Sequence, residues 1–213
     1  MKKHLNILLI LGIVVIGAVT NCSKDSTPTG VVGEITGTFT DSRDNNIYKW
    51  VTIGTQTWLA ENLAYKPNNG EYWAYNNDES NVAIYGYLYS WELAQTIAPD
   101  GWHLPTDAEW TKLINYLGGL NVAGGKLKES GTEHWSLSNT ESDNSSGFTA
   151  LGGGIRNAND GTFANIKYNG FWWSASVNNR AGISYSINSA GKEIDRADLY
   201  SKSMGFSVRC VKN

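Results

Sequence analysis

The 213-residue chain is 41% hydrophobic and 17% charged, and it contains 9 Trp and 11 Tyr. This aromatic content excludes a disordered chain, and the length suits one sizeable domain. A formal net charge of −3, without any run of Lys or Arg, disfavours nucleic-acid binding through a basic face. Two cysteines exclude a disulfide-rich scaffold and a structural zinc site built on cysteines. The 23 glycines predict a turn-rich domain of short strands.

The N-terminus has the pattern of an export signal peptide, predicted over residues 1–21. Two lysines precede an apolar stretch that is shorter than the roughly 20 residues of a membrane-spanning helix. The sequence AVTNC (18–22) then places Cys22 where the apolar stretch ends, an arrangement that resembles the lipobox of bacterial lipoproteins. We therefore predict lipidation of Cys22, and a lipid-anchored location at the outer membrane or cell surface. A true transmembrane anchor is the alternative.

The remaining chain divides into a tether and one domain. Residues 22–36 are polar and rich in Ser, Thr and Gly, which predicts a flexible tether after the lipidated cysteine. The folded domain is predicted over residues 37–213. Within it, alternating side chains over 38–62 predict a hairpin, and short strands with Gly and Asn turns return from Gly147 onward.

Two helices are predicted between these strand-rich parts. Residues 87–97 carry apolar side chains at three-residue steps and are predicted to form the first helix. The second begins after Thr106, which forms a capping-box pattern with Glu109, and it ends at Gly118. Because the helices are grouped rather than alternating with strands, the pattern predicts an α+β fold.

Catalytic and metal-binding signatures are mostly absent from the sequence. No known nucleophile, metalloprotease or nucleotide-binding motif occurs, so we predict a non-enzyme with no catalytic residue, no metal site and no cofactor. His103 and His134 are interpreted as structural or exposed. Cys210 alternates with apolar residues, which predicts a buried, unreactive thiol. Residues 157–161 place oxygen-bearing side chains before a glycine, a pattern that leaves both a calcium loop and a plain Asn/Gly turn open.

Six segments of the domain carry a family resemblance: GTQTWLAENL (54–63), YGYLYSWELA (85–94), GWHLPTDAEWTKLINYLGG (101–119), GFTALGGGIRN (147–157), GFWWSAS (170–176) and GFSVRCVKN (205–213). In this order they resemble the Fibrobacter succinogenes major paralogous domain, which is similar to the formylglycine-generating-enzyme branch of the C-type-lectin-like fold. The resemblance covers about residues 36–213.

The resemblance implies a compact fold with two helices, a central antiparallel sheet and a long loop-rich region, in secreted or lipid-anchored surface proteins. Members of the family commonly carry a cysteine where this chain has Ala98, and the usual partner of that cysteine corresponds to Cys210, so the implied disulfide is missing. The related enzymes hold copper with two cysteines. With Cys22 lipidated one cysteine remains, which implies that this activity is absent. The calcium-dependent sugar-binding motifs of animal lectins are also missing.

Aromatic side chains give the strongest indication of a binding surface. Trp172 and Trp173 are consecutive, so on a strand one of them should face away from the core. Trp73 lies in a polar loop and is the other candidate for ligand contact. The tryptophans of the family-like segments are predicted to be core: Trp58, Trp91, Trp102 and Trp110.

We predict non-catalytic binding of a glycan or protein ligand through a polar and aromatic face late in the chain. The predicted ligand-binding residues are Trp173, Ser176, Asn178, Asn179, Arg180, Tyr185, Asp195 and Tyr200. Two alternatives stay open. A structural envelope lipoprotein would bury these rings in its core, and a glycan-active enzyme would need an acid/base pair in a pocket.

Overall fold

The computed structural model describes residues 36–136, 139 and 141–213. The predicted signal peptide, the predicted lipidation site Cys22 and nearly all of the predicted tether lie outside these described residues. Within the described ranges, no helix has both the length and the apolar character needed to cross a bilayer.

Short strands dominate the described part of the chain. In chain order they are β1 (Thr36–Thr40), β2 (Ile47–Ile53), β3 (Gln56–Leu59), β4 (Tyr72–Trp73), β5 (Leu88–Tyr89), β6 (Trp102–His103), β7 (Gly153–Arg156), β8 (Phe163–Ile166), β9 (Asn169–Asn178), β10 (Ala181–Asn188), β11 (Asp195–Tyr200) and β12 (Val211–Lys212). They form a five-stranded sheet in the order β1-β2-β3-β12-β6, a three-stranded sheet in the order β11-β10-β9, and the pairs β4-β5 and β7-β8. All of these strand pairs are antiparallel.

The α-helices of the described residues are α1 (Val82–Tyr85), α2 (Trp91–Ala94), α3 (Asp107–Tyr116) and α4 (Leu120–Leu127). The mixed composition, with several antiparallel sheets and few helices, agrees with the predicted mixture of helices and strands. The hairpin predicted within 38–62 is also confirmed. There β1 pairs with β2 from Thr36 opposite Val51 to Thr40 opposite Ile47, and β2 pairs with β3.

The predicted helix after Thr106 is confirmed as α3, and its capping box is complete. The Thr106 hydroxyl accepts a hydrogen bond from the Glu109 amide at 3.2 Å, and the Glu109 carboxylate accepts one from the Thr106 amide at 2.8 Å. Local side-chain chemistry therefore sets the start of this helix without help from distant residues.

The helix predicted over 87–97 is confirmed only for its middle part, and its predicted extent is wrong. Residues 88–89 form β5, and α2 begins only at Trp91. The reason is a long-range pairing, because the amide of Tyr89 donates to the carbonyl of Phe206 at 2.8 Å and the amide of Phe206 donates back at 3.1 Å. Burial of the Tyr89 ring in this extended conformation outweighs the helical spacing of the apolar residues.

The sequence pattern does not predict helix α4, because two consecutive glycines, Gly118 and Gly119, indicate only the end of α3. Gly119 instead turns the chain at φ +95° and α4 begins at the next residue. The interior glycines of α4 allow close packing, since a Cβ at Gly124 would collide with the carbonyl of Glu193. Close backbone approach therefore explains glycines that look unfavourable for a helix.

The C-terminal segment 204–211 runs through the centre of the domain, and every residue in it is buried. On one side the segment forms backbone hydrogen bonds with β9, where the Trp173 amide donates to the carbonyl of Ser207 at 3.2 Å. On the other side it bonds the region of β3, where the Leu59 amide donates to the carbonyl of Cys210 at 2.9 Å. The segment thus joins the two larger sheets.

Two clusters of buried residues make up the core. The first core cluster includes Trp58, Trp110, Phe148, Trp172 and Tyr185, together with apolar residues of α3 and α4. The second core cluster includes Leu59, Tyr89, Trp173, Phe206 and Cys210. Neighbouring residues of β9 therefore reach different clusters, because alternate side chains of a strand point to opposite faces.

Candidate functional site

The tip of the β9–β10 hairpin carries three of the predicted ligand-binding residues. Asn178 pairs with Ala181, so Asn179 and Arg180 form a two-residue turn, with Asn179 in the left-handed region at φ +52°. Asn178, Asn179 and Arg180 are all exposed. Within the described residues Arg180 makes no ion pair, so its guanidinium is open to solvent.

Two of the predicted ligand-binding residues lie in the core, and their assignment to a contact surface is wrong. Trp173 has no exposed surface; its ring packs 4.2 Å from Phe206 and its indole N–H donates to the carbonyl of Tyr89 at 2.8 Å. Tyr185 is also buried and stacks on Trp110 at 4.9 Å. The prediction failed because it assumed that one face of β9 is open, whereas both faces are covered.

A polar network joins the predicted face to the start of α3. Arg196 donates from Nε and Nη2 to both carboxylate oxygens of Asp107, at 2.7 and 3.0 Å, and the hydroxyl of Tyr185 donates to the same carboxylate at 2.7 Å. The amide of Asp107 donates to the hydroxyl of Ser176 at 3.0 Å. A carboxylate at a helix N-terminus is also favoured by the helix dipole.

The charges and hydrogen bonds of this network shift the pKa values of Asp107 and Tyr185. Hydrogen bonds from Arg196 are the main cause that lowers the pKa of Asp107, and burial opposes them. Burial, with the Asp107 carboxylate as acceptor, raises the pKa of Tyr185 to about 12. The sequence pattern did not predict Asp107 and Arg196 as members of this face, because an aspartate in the first turn of a helix is common and nothing local links it to an arginine 89 residues away.

The other predicted residues extend this face along the edge of the sheet. Asn178 donates to the carboxylate of Asp198 at 2.8 Å, and Arg196 lies 3.6 Å from the same group. Asp195 is exposed at the start of β11. Tyr200 is half-buried, and its ring meets Phe206 edge-on at 5.3 Å. The structure thus brings Ser176, Asn178 and Tyr185 into contact with one network, whereas Tyr200 packs against the second core cluster.

The remaining aromatic predictions divide between core and surface. Trp58, Trp102 and Trp110 are buried as predicted, and Trp91 is half-buried with Lys202 4.1 Å above its ring. Trp73, predicted as a contact residue, is half-buried beneath the guanidinium of Arg156 at 4.0 Å. The nearby tyrosines of the same loop region are buried: Tyr75, Tyr85 and Tyr87.

Three adjoining cavities form a groove beside β2, which we call the β2 groove. Their volumes are about 290, 280 and 410 Å³, and neighbouring cavities share lining residues. The groove is lined by Ile47, Lys49, Glu61, Ile84, Thr38 and Thr149, among others. Its walls combine two exposed isoleucines with Lys49 and two acidic residues, Glu61 and Glu129, and no sequence motif indicates it.

The histidines and the possible calcium loop are held by ordinary side-chain contacts. His103 lies between Asn213 at 2.6 Å and Glu109 at 2.8 Å, and His134 contacts both oxygens of Glu129 at 2.9 and 3.0 Å. In the turn at 157–161, Asp160 accepts hydrogen bonds from the amide and hydroxyl of Thr162. Among the described residues, no three His, Cys, Asp or Glu side chains come together as metal ligands would.

Cys210 is fully buried, as predicted, and burial raises the pKa of its thiol to about 12. It is a free thiol rather than half of a disulfide. Its position in the second core cluster makes it a small apolar residue of the central segment.

Comparison with known proteins gives one family. No curated protein and no solved structure gives a significant match to the chain. The sequence model of the Fibrobacter succinogenes major domain matches residues 51–212, which include nearly all of the fold from β2 to β12. The chain therefore belongs to the Fibrobacter succinogenes major domain family.

Proposed function

We propose that this protein is a lipid-anchored domain of the outer membrane or cell surface that binds a glycan or protein ligand without catalysis. The proposal includes a C-type-lectin-like arrangement of the domain. Support comes from the several antiparallel sheets, from α3 and α4 as the two longer helices, and from the family resemblance of the sequence. The anchor is inferred from the lipobox-like sequence that ends at Cys22.

The main support for ligand binding is the exposed tip of the β9–β10 hairpin. Its polar residues Asn178, Asn179 and Arg180 lie at the exposed end of β9, a strand whose buried part contacts both core clusters, so the turn is presented on a rigid support. Two apolar side chains of the same sheet stand beside it, with Val177 46% exposed and Leu199 74% exposed. Hydrogen-bonding groups and a free guanidinium next to apolar surface suit recognition of a protein or a glycan.

The test is binding of the purified lipoprotein to a glycan array and to envelope proteins of the producing cell. We expect Asn178→Ala combined with Arg180→Ala to weaken binding about tenfold or more, the scale of a small hot spot. The matched control is Asn121→Ala combined with Lys112→Ala, which removes an amide and a cation from the exposed surface of α3 and α4. Loss of binding in the control, or no effect of the tip substitutions, would contradict the assignment.

The β2 groove provides an internal comparison for the same assay. Ile84→Ser changes an exposed residue of that groove, 45% exposed, without touching the hairpin tip. If ligand binding falls with Ile84→Ser and not with the tip substitutions, then the ligand lies in the groove and the assignment to the tip is wrong.

A structural envelope role is the second candidate, and the burial of the aromatic rings favours it. Of the three rings in the predicted face, Trp173 and Tyr185 lie in the core, as that alternative requires, and Tyr200 is half-buried. It predicts that deletion of the protein weakens the envelope against detergent. Full restoration by the chain with the Asn178→Ala and Arg180→Ala substitutions would favour this role over ligand binding.

The anchor is tested separately from the ligand. Cys22→Ser should release the protein from membranes, because stable anchoring requires acyl chains on this residue. Persistence of the Cys22→Ser variant in the membrane fraction would support the transmembrane alternative.

A further inference from the structure

The middle of the β2 groove brings together two opposite charges that do not pair with each other. Lys49 of β2 and Glu61, two residues after β3, line the same cavity of about 280 Å³. The Glu61 carboxylate accepts a hydrogen bond from the backbone amide of Lys49 at 2.7 Å, which holds the two residues side by side. Among the described residues, however, neither the Lys49 ammonium nor the Glu61 carboxylate takes part in an ion pair. Both charges therefore remain available to a ligand in the cavity.

The same cavity has a second carboxylate, which a histidine holds in place. The two carboxylate oxygens of Glu129 lie 2.9 and 3.0 Å from Nδ1 of His134, and each of these side chains is only 20% exposed. The ring of His134 in turn packs edge-on against the buried ring of Tyr85, with 5.8 Å between the ring centroids. The wall of the cavity thus carries fixed negative charge in addition to that of Glu61.

Apolar side chains stand directly beside these charges. Ile84 of α1 is 45% exposed and lines both this cavity and the adjoining one of about 290 Å³. Ile47 of β2 is 66% exposed and lines the adjoining cavity. Removal of this apolar surface from water would favour a ligand with an aliphatic group. The two cavities, each close to the smallest volume typical of small-molecule sites, therefore offer a charged part and an apolar part.

We propose that these two adjoining cavities bind a free α-amino acid with an aliphatic side chain. The ligand carboxylate accepts hydrogen bonds from the ammonium of Lys49. The ligand ammonium donates to the carboxylates of Glu61 and Glu129, and the aliphatic side chain covers Ile84 and Ile47. This inference goes beyond the proposed ligand binding at the hairpin tip and does not depend on it.

The charges favour a zwitterion over other small ligands. An anion would leave the carboxylates without a partner, and a cation would leave Lys49 without one, whereas a zwitterion forms charge-assisted hydrogen bonds with both. A sugar ring usually stacks on an exposed aromatic side chain. Tyr48, the tyrosine that lines the adjoining cavity, is only 3% exposed and offers no such platform.

The spacing of the two charges also suits an α-amino acid. Because the Glu61 carboxylate lies at the backbone amide of Lys49, the ammonium at the end of the lysine side chain is at most about 10 Å from it. An α-amino acid that is hydrogen-bonded at both of its charged ends spans about 9 Å between the protein atoms. Ligands with more widely separated charges would not fit between Lys49 and Glu61.

Isothermal titration calorimetry of the full chain in detergent tests the proposal with three probes: L-leucine, L-leucinamide, which lacks the carboxylate, and N-acetyl-L-leucine, which lacks the ammonium. Leucine should bind most tightly. Lys49→Met should weaken leucine binding about tenfold or more and should not weaken leucinamide binding. Glu61→Gln should weaken leucine binding to a similar extent and should not weaken N-acetylleucine binding. A misfolded variant gives a different pattern, because it loses all three ligands.

Two further comparisons define the site. Ile84→Ser should reduce the preference of the protein for leucine over alanine, because the shorter side chain of alanine does not cover this position. Lys112→Met, on the exposed surface of α3, is the matched control for Lys49→Met and should bind leucine like the unmodified chain. Asn178→Ala combined with Arg180→Ala should also leave leucine binding unchanged, which separates this site from the proposed contact at the hairpin tip.

Every other result contradicts the proposal. If leucine, isoleucine and valine all bind more weakly than about 10 mM, the cavities are not an amino-acid site. If the unmodified chain binds leucine and leucinamide equally well, Lys49 does not meet a carboxylate. If Lys49→Met weakens leucine and leucinamide alike, or Glu61→Gln weakens leucine and N-acetylleucine alike, the substituted charge does not meet the opposite charge of the ligand, and the proposal is overturned.

Discussion

Trp172 and Trp173 are consecutive in the sequence, but their rings lie in different halves of the core. The indole N–H of Trp172 donates to the side-chain oxygen of Asn62 at 2.9 Å, within the first core cluster. The indole N–H of Trp173 donates to the carbonyl of Tyr89 at 2.8 Å, within the second core cluster. Strand β9 is therefore a partition between two packed layers, and neither ring is available to a ligand.

Replacement of Trp173 should destabilise the fold rather than a binding site. We expect Trp173→Ala to lower the free energy of unfolding by about 3–5 kcal/mol, the usual cost of removing a buried aromatic ring. Urea denaturation followed by circular dichroism measures this change. Tyr168→Ala is the control, because Tyr168 is 61% exposed and its loss should cost no more than about 0.5 kcal/mol. Equal effects of the two substitutions would contradict the assignment of Trp173 to the core.

Arg209 is a fully buried cation that connects three parts of the chain. It donates to the carbonyls of Leu59 at 3.1 Å and Phe148 at 2.7 Å, and to the side chain of Asn62 at 2.9 Å. Burial lowers its pKa to about 9, so that it still carries its charge at neutral pH.

Arg209→Met should remove the guanidinium donors from the buried carbonyls of Leu59 and Phe148, while Asn62 keeps the indole N–H of Trp172, and it should lower the free energy of unfolding by about 3–5 kcal/mol. Arg209→Lys should give an intermediate loss, because a single ammonium group cannot reach all of the acceptors of the guanidinium. Arg180→Met, at the exposed hairpin tip, is the matched control and should change stability by less than about 0.5 kcal/mol. Urea denaturation compares the three variants, and a neutral Arg209→Met variant would refute the role of Arg209.

The contact of Asp107 with Arg196 should make stability depend on pH in the acid range. The pKa of Asp107 is lowered in the folded protein, mainly by Arg196, so its stabilising contribution is present above the unfolded-state pKa of about 4. That contribution is lost as the pH falls through the folded-state pKa, where the carboxyl becomes neutral. We therefore expect Asp107→Asn to cost about 1 kcal/mol at pH 7 and much less at pH 3.

Urea denaturation at the two pH values measures this difference. Asp195→Asn is the control, because Asp195 is exposed on the same strand as Arg196 and its substitution should have a similar small effect at both pH values. A cost of Asp107→Asn that stays constant down to pH 3 would show that the ionised carboxylate is not what stabilises the contact.

Cys210 should be unreactive in the folded protein. Burial raises the pKa of its thiol to about 12, and the side chain has no exposed surface. In the Cys22→Ser variant, a thiol reagent such as dithionitrobenzoate should react with Cys210 only when urea unfolds the domain. Thr132→Cys, at an exposed position, should react at once in the same background. Rapid reaction of Cys210 in native buffer would place it at the surface instead.

Local chemistry in the sequence was enough to identify several elements. The capping box at Thr106 and Glu109 specifies the start of α3, and alternation specifies the β1–β2 hairpin and the burial of Cys210. These features depend on residues a few positions apart, so their physical cause is contained in one short segment. The family resemblance rests on similar short segments and is confirmed by the match over residues 51–212.

Tertiary contacts decided what the local pattern could not. Tyr89 is in a strand rather than a helix because Phe206, far along the chain, supplies its backbone partners. Trp173 of β9 is buried because the second core cluster covers its face of the sheet, and Tyr185 of β10 is buried because the first core cluster covers the opposite face. Asp107 faces Arg196 only because β11 lies beside α3 in the folded domain. Short-range structure could therefore be predicted from neighbouring residues, whereas the exposure of each side chain, and which residues meet at the surface, depend on long-range packing that no local pattern encodes.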